Sequence, residues 1–349
     1  MQQIAYLSIV CSGYQVSLNS RNYDALGKYA LMAILITGGA GFIGSHLTQI
    51  LLAQSNEKLI SLDNFNDYYD PALKRENVKQ VANEERVTLI EGDFCDGEAM
   101  KRLFDEHDID QVVHLGAYAG VRISVEQPHK YQHANVGGTL SLLEAARHHP
   151  VKRFLLASSS TVYGKGAGIP FAEDAPLGIP ASPYGATKRA AELLCLTYHQ
   201  LHGIPTACLR PFSVYGPRLR PDLALTIFAK AVHEGTPIPL FGDGSIRRDF
   251  THVSDICQGF IAALTAEGVV GQEINIGHSD PIEMRKLIEL LEKSFGKKAV
   301  INYLPERPED LPVTYANLNK AEKLLGYSPK VLIEDGIQEY VDWFRTWHR

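Results

Sequence analysis

Tyr184 and Lys188 stand four residues apart in PYGATK, residues 183–188. On a helix that spacing stacks a phenol and an ammonium on one face. Upstream, Ser158-Ser159-Ser160-Thr161 puts four hydroxyls in a row. A third cluster, TGGAGFIG at residues 37–44, carries Gly38, Gly41 and Gly44 between an apolar run and a helical pattern. Glycine there permits a tight turn, close approach of backbone N–H groups to phosphate, and tight helix–strand packing. The helix N-terminus then faces the pyrophosphate charge of a dinucleotide.

A free phenol titrates near 10, so Tyr184 alone is a poor base at neutral pH. A lysine ammonium and a positive nicotinamide would lower that value. Tyr184 could then take a proton from a sugar hydroxyl as hydride leaves for the cofactor. One of the hydroxyls at 158–161 can hydrogen-bond the reacting oxygen and share its proton with Tyr184. An exposed helix pair and ordinary loop polarity are the plain alternatives for the two groups.

Asp63 ends the second apolar run, where a carboxylate accepts hydrogen bonds from the adenosine ribose and repels a 2′-phosphate. No arginine follows directly in Asp63-Asn64-Phe65-Asn66, so NAD is expected over NADP. Asp93-Phe94 is expected near the adenine. Small residues after the fourth run, beside Leu115 and Ala117, would let backbone lie against the cofactor. The cofactor set is thus Gly38, Gly41, Phe42, Ile43, Gly44, Asp63, Asn64, Asp93, Phe94, Leu115 and Ala117, with Tyr184 and Lys188.

These residues need a frame that brings loop ends together. Short β-rich runs at 34–36, 59–62, 87–91, 112–115 and 154–158 alternate with helical patterns at 42–54, 99–107, 136–148 and 184–202, and a further strand falls at 206–209. This alternation predicts an α/β fold, a Rossmann-type doubly wound parallel sheet. Ligands sit at the carboxyl edge of such sheets, where the hydroxyls at 158–161 fall. Beyond Arg210 the rhythm breaks into proline- and glycine-rich loops, with helices at 223–233, 282–295 and 337–347. Residues 250–261 read as a strand and helix returning to the main sheet. The expected division is an NAD-binding domain at 32–210 with a return segment at about 246–268. A smaller, partly helical substrate domain takes 211–245 and 269–349.

The bulk properties exclude more than they assign. The chain has 349 residues, 45% of them hydrophobic, enough for one large or two modest cores. A net charge of -6 gives no electrostatic reason to expect nucleic acid or an anionic membrane surface. The five cysteines are scattered, odd in number and form no CxxC, which reads as reduced thiols in a cytoplasmic protein with no metal site. Residues 4–10 are apolar but too short to span a membrane and lack a basic flank, so no signal peptide is expected. The glycine-rich fold starts directly after Met32, so residues 1–31 are expected to be an upstream extension; a genuine tail is the alternative.

With these motifs assembled, residues 33–345 resemble the extended short-chain dehydrogenase/reductase superfamily, and within it the UDP-glucuronate 4-epimerases. The likeness rests on LDNFNDYYDPALKREN (62–77), HLGAYAGVRIS (114–124), SSSTVYG (158–164), PYGATK (183–188), RPFSVYGPRLRPD (210–222) and RRDFTHVSDI (247–256). The resemblance implies that Ser159 holds the catalytic hydroxyl position, with Ser160 and Thr161 beside the sugar. It implies that Arg248 and Arg307 clamp a UDP diphosphate, that Ser213 and Arg220 hold a hexuronate carboxylate, and that Arg122 lies in the substrate region. It also implies a UDP-sugar substrate and a homodimer built from helices such as 136–148 and 184–202.

Related decarboxylases and 4,6-dehydratases carry an acid shortly after the catalytic hydroxyl, where this chain has Ser160 and Thr161; this favours epimerisation. Tyr118 stands where glutamine is usual and Ser213 where threonine is common, so the sugar pocket departs from the pattern. UDP-glucuronate decarboxylation and neutral UDP-hexose 4-epimerisation stay open as alternatives, as does an NAD-sensing protein without catalysis.

Overall fold

The computed structural model describes residues 33–306 and 311–347. The first strands alternate with helices: β1 Ala33–Thr37, α1 Phe42–Gln54, β2 Lys58–Asp63, α2 Pro71–Val78, β3 Val87–Glu91, α3 Gly97–Glu106 and β4 Ile109–His114. Short helices α4 Val121–Glu126 and α5 Pro128–Tyr131 lead through a π-helical turn, Gln132–Gly138, into α6 Thr139–Arg147. Then come β5 Arg153–Ala157, α7 Pro183–His202, β6 Thr206–Pro211, β7 Ser213–Tyr215, α8 Ala224–Glu234, β8 Pro237–Phe241, β9 Arg247–Arg248, β10 Phe250–His252, α9 Val253–Thr265 and β11 Glu273–Ile276. The chain continues through β12 Ile282–Glu283, α10 Met284–Phe295, β13 Val300–Leu304, β14 Val313–Thr314, α11 Asn319–Leu325 and α12 Ile333–Trp347.

Seven strands pair in parallel in the order β11-β6-β5-β4-β1-β2-β3. Chain order reverses between β1 and β4, which opens a crevice above their carboxyl ends. Side chains alternate across the sheet as the pleat requires. Ile34, Ile36 and Leu155 enter the core under α1 and α9, which runs on through α8, α10 and α12. Leu35, Phe154 and Leu156 enter the core under α3, α6 and α7. Fully burying one such side chain contributes roughly 1.5–3 kcal/mol. Both faces are therefore covered, which is why the central strands read as continuous apolar runs.

Two expectations are corrected. Residues 250–252 form β10, but it pairs with β7 in a separate two-stranded sheet rather than joining the main sheet. Only α9 of that segment packs back, against α1 and β5, and the outer strand beside β6 is β11. The helix expected over 136–148 begins earlier, as the π-helical turn, and becomes α-helical only at Thr139. Gly138 explains the close approach, because a Cβ there would lie 2.3 Å from the Phe94 ring.

Among the described residues, no helix is long and apolar enough to cross a membrane. Residues 1–31 and Arg307, about which the sequence raised expectations, lie outside the described residues.

Candidate active site

The crevice begins at the turn after β1. Gly38 has φ +69, a left-handed conformation that favours glycine, and a Cβ there would meet Gly116 N at 2.8 Å. A Cβ on Gly44 would sit 2.2 Å from Gly38 O. Gly41 caps α1 without any side-chain hydrogen bond, so the N–H groups of Phe42 and Ile43 head the helix with no side-chain cap among the described residues. This uncapped, glycine-tight helix start fits a pyrophosphate. Leu115 and Ala117 flank Gly116 on the facing β4 loop.

Asp63 is buried at the end of β2. Its Oδ1 accepts from Phe65 N at 2.9 Å and Lys74 Nζ at 3.0 Å, so Oδ2 is the oxygen left for a ribose hydroxyl. Lys74 arrives from α2, eleven residues on, and was not visible as a partner in the sequence. Asn64 Nδ2 donates to Asp93 Oδ2 at 3.4 Å, joining the ends of β2 and β3. The Phe94 ring lies in the core against His114, with centroids 5.1 Å apart, so any cofactor contact from this residue falls to its main chain.

Ser182 starts α7 by accepting from Gly185 N, with Pro183 in the first turn. That start brings Tyr184 to the end of β5 and the short 3-10 turn Ser160–Val162 that follows it. The Tyr184 hydroxyl hydrogen-bonds Ser159. Ser159 Oγ also accepts from Thr161 N at 3.2 Å and Thr161 Oγ1 at 3.0 Å. Ser158 Oγ is buried there with no partner among the described residues. One turn below Tyr184, Lys188 Nζ donates to Ala157 O at 2.8 Å.

Burial pushes the Tyr184 phenol above its ordinary value, while the Ser159 hydrogen bond and the Arg220 charge pull against that. Burial brings Lys188 itself down to about 8. One of the three ammonium N–H donors of Lys188 goes to the Ala157 carbonyl, which leaves two for a bound ligand.

Arg220 stacks over the Tyr68 ring at 5.5 Å and forks onto Asp222 through Nε–Oδ1 at 3.0 Å and Nη2–Oδ2 at 2.9 Å. Its neighbour Arg218, at φ +66, donates to Ser45 Oγ and Gln49 Oε1 of α1, which ties the Arg220 loop to the glycine turn. Ser213 N donates to Asp249 O at the head of β7. Asp249 is buried and accepts from His278 N, Ser279 N and Ala316 N, which fixes the strand carrying Arg248. Arg248 Nη1 donates to Leu311 O at 2.7 Å. Arg122 is exposed on α4, a helix that packs against α7.

Asn135 was missed. Its amide holds Tyr118 N and O at 2.9 Å each and donates to Thr187 Oγ1 of α7 at 3.1 Å. It sits in the π-helical turn, a feature often found at functional sites and one with no sequence signature here. Among the described residues no three His, Cys, Asp or Glu side chains gather as a metal site.

The arrangement can hold a dinucleotide, move a proton at the Tyr184 oxygen, and set a guanidinium beside it. The model of the NAD dependent epimerase/dehydratase family matches residues 34–277. A UDP-glucuronate 4-epimerase of Thermodesulfobacterium geofontis is 42% identical over 310 residues, 88% of this chain and 95% of its own. The crystal structure of UDP-glucuronic acid 4-epimerase from Bacillus cereus, in complex with UDP-glucuronic acid and NAD, is 40% identical with a TM-score of 0.86, covering 90% of this chain and 100% of the other. UDP-glucose 4-epimerase of Thermotoga maritima with UDP-glucose is 31% identical with a TM-score of 0.83, covering 91% and 100%.

Proposed function

The chain belongs to the NAD dependent epimerase/dehydratase family, and from that premise we propose that it interconverts UDP-glucuronate and UDP-galacturonate by inverting C4 through a 4-keto intermediate. The observation that carries the uronate reading is Arg220, which stacks over Tyr68; Tyr68 in turn meets Tyr131 at 3.3 Å, and the Tyr131 ring packs 6.1 Å from that of Tyr184, so the chain of rings supports a guanidinium on the Tyr184 side of the crevice for a carboxylate.

NAD, held by the residues around Gly38, Gly41, Phe42, Ile43, Gly44, Asp63 and Asn64, supplies a store that takes up the C4 hydride and returns it. Tyr184 removes the C4 hydroxyl proton as the carbonyl forms and gives it back on reduction. Ser159 hydrogen-bonds the C4 oxygen and links it to Tyr184; Ser160 and Thr161 line the sugar. Lys188 anchors α7 to the end of β5 and adds positive charge near the cofactor. Arg248 and Arg307 take the diphosphate, a task suited to guanidinium geometry. Ser213 and Arg220 hold the uronate carboxylate. The 4-keto sugar turns about its diphosphate tether and is reduced on its other face.

The same reading extends to a cytoplasmic homodimer, supported by exposed Leu140 on α6 and Leu193 and Leu201 on α7. It also keeps the division between an NAD-binding part, 32–210 with 246–268, and a sugar-binding remainder. To test the substrate, the purified protein is assayed with UDP-glucuronate and UDP-glucose side by side. A strong preference for the uronate is expected; equal turnover would move the reading to a neutral hexose.

A further inference from the structure

Arg220 is gripped on four sides. Asp222 takes the Nε and Nη2 edge, Ala119 O accepts from Nη2 at 3.2 Å, and the Tyr68 ring covers one face. Thr226 Oγ1 donates to the Arg220 carbonyl at 2.8 Å, fixing its backbone. Tyr68 donates to Ala119 O as well, so ring, carbonyl and guanidinium form one assembly. Gly120, at φ +128, leaves room for it: a Cβ there would lie 2.8 Å from Tyr68 Oη and 3.7 Å from Asp222 Oδ2. Three of the five guanidinium N–H groups are thereby used. Both Nη1 hydrogens have no partner among the described residues, so one edge of a part-buried, charged side chain is left over.

We infer that Asp222 is a positioning residue that turns the Nη1 edge of Arg220 toward the uronate carboxylate and so decides whether the 4-keto intermediate is reduced or loses CO2. The inference rests on the UDP-hexuronate reading above. A carboxylate partner orients a guanidinium far more tightly than water does, because the two parallel N–H···O bonds fix its plane. The 4-keto uronate is a β-keto acid. When its carboxylate bond aligns with the carbonyl π system, the C5–C6 bond breaks and CO2 leaves. The bonding pair passes into the C4 enolate, which then takes a proton from water at C5. A guanidinium held in one plane keeps the carboxylate out of that alignment; a wobbling one does not.

The test compares full-length, NAD-loaded wild type with Asp222→Asn and Asp222→Glu. Three quantities are read: KM and kcat with UDP-glucuronate, CO2 released per epimerisation, and affinity for UDP alone. Asp222→Asn should raise KM by about tenfold, the scale of one charge-assisted hydrogen bond. It should also raise the CO2 ratio and leave UDP affinity unchanged. Asp222→Glu should recover part of both changes. An unchanged CO2 ratio would overturn the inference, and so would a lowered KM, which would make Asp222 a competitor of the substrate. A parallel loss of UDP affinity would also overturn it, by assigning Asp222 to the folding of its loop. If wild type did not convert UDP-glucuronate, or Arg220→Gln changed neither KM nor the CO2 ratio, the uronate reading itself would fall.

Discussion

Tyr184 is under opposed influences: burial keeps its proton on, while Ser159 and Arg220 draw it off. Removing the phenolic oxygen with Tyr184→Phe should cost about 10²–10⁴-fold in turnover while NAD stays bound, read by product formation and by nicotinamide content. Arg220→Ala removes one of the pulls toward phenolate. The rising limb of the pH–rate profile should then move to higher pH, because a base works only above its own pKa. A limb that stayed in place, or moved down, would show that Arg220 does not act on Tyr184. The Tyr184–Lys188 pair was legible in the sequence because four residues make one helical turn. Lys74 beside Asp63 and Asn135 beside Tyr118 were not, since each contact exists only after separate elements pack. The hydrogen bond from Lys188 to the Ala157 carbonyl was not legible either, because spacing shows that two groups share a face and not which main-chain group lies beneath them.

The catalytic helix α7 is held to the sheet by a buried ion pair. Arg210 on β6 donates through Nε to Glu192 Oε1 at 2.8 Å and through Nη2 to Glu192 Oε2 at 2.9 Å, and its Nη1 reaches Tyr163 Oη at 3.1 Å. Both side chains are almost fully buried. Glu192→Gln would leave the guanidinium without its counter-charge and should cost about 3–5 kcal/mol in urea unfolding. A loss below about 1 kcal/mol would mean that water or Glu273 replaces the partner. At the other end of the crevice, Gly44→Ala would drive a methyl into Gly38 O and should abolish NAD retention without unfolding the sheet, read by nicotinamide content and circular dichroism. The strands and the long helices were legible because apolar runs and 3.6-residue periodicity report burial directly. The π-helical turn and β10 were not. A π-turn has no periodicity of its own, and a three-residue strand takes its partner from tertiary packing.

At the scale of the whole molecule, burial lowers the pKa of His46, His114 and His252 among the described residues. Burial holds both His46 and His114 at about 3, with Arg218 adding to the effect at the first and Lys188 at the second. His114 sits between Thr37 Oγ1 at 2.7 Å and Thr139 Oγ1 at 3.1 Å, under the crevice. In the unfolded chain such histidines titrate near 6.5, so the unfolded state binds more protons between about pH 6.5 and 3. Stability is thus full above that window and falls as pH drops through it; the unfolding midpoint in urea should decline steadily over that range. A His114→Gln variant should show a shallower decline, and an equal slope would remove His114 from the account. The central claim concerns the reaction, and mass-resolved chromatography of UDP-glucuronate incubated with the NAD-loaded protein tests it most directly. The account predicts a new peak of unchanged mass, the C4 epimer. A product lighter by CO2 would contradict it and would mean that Ser160 and Thr161 do not exclude decarboxylation.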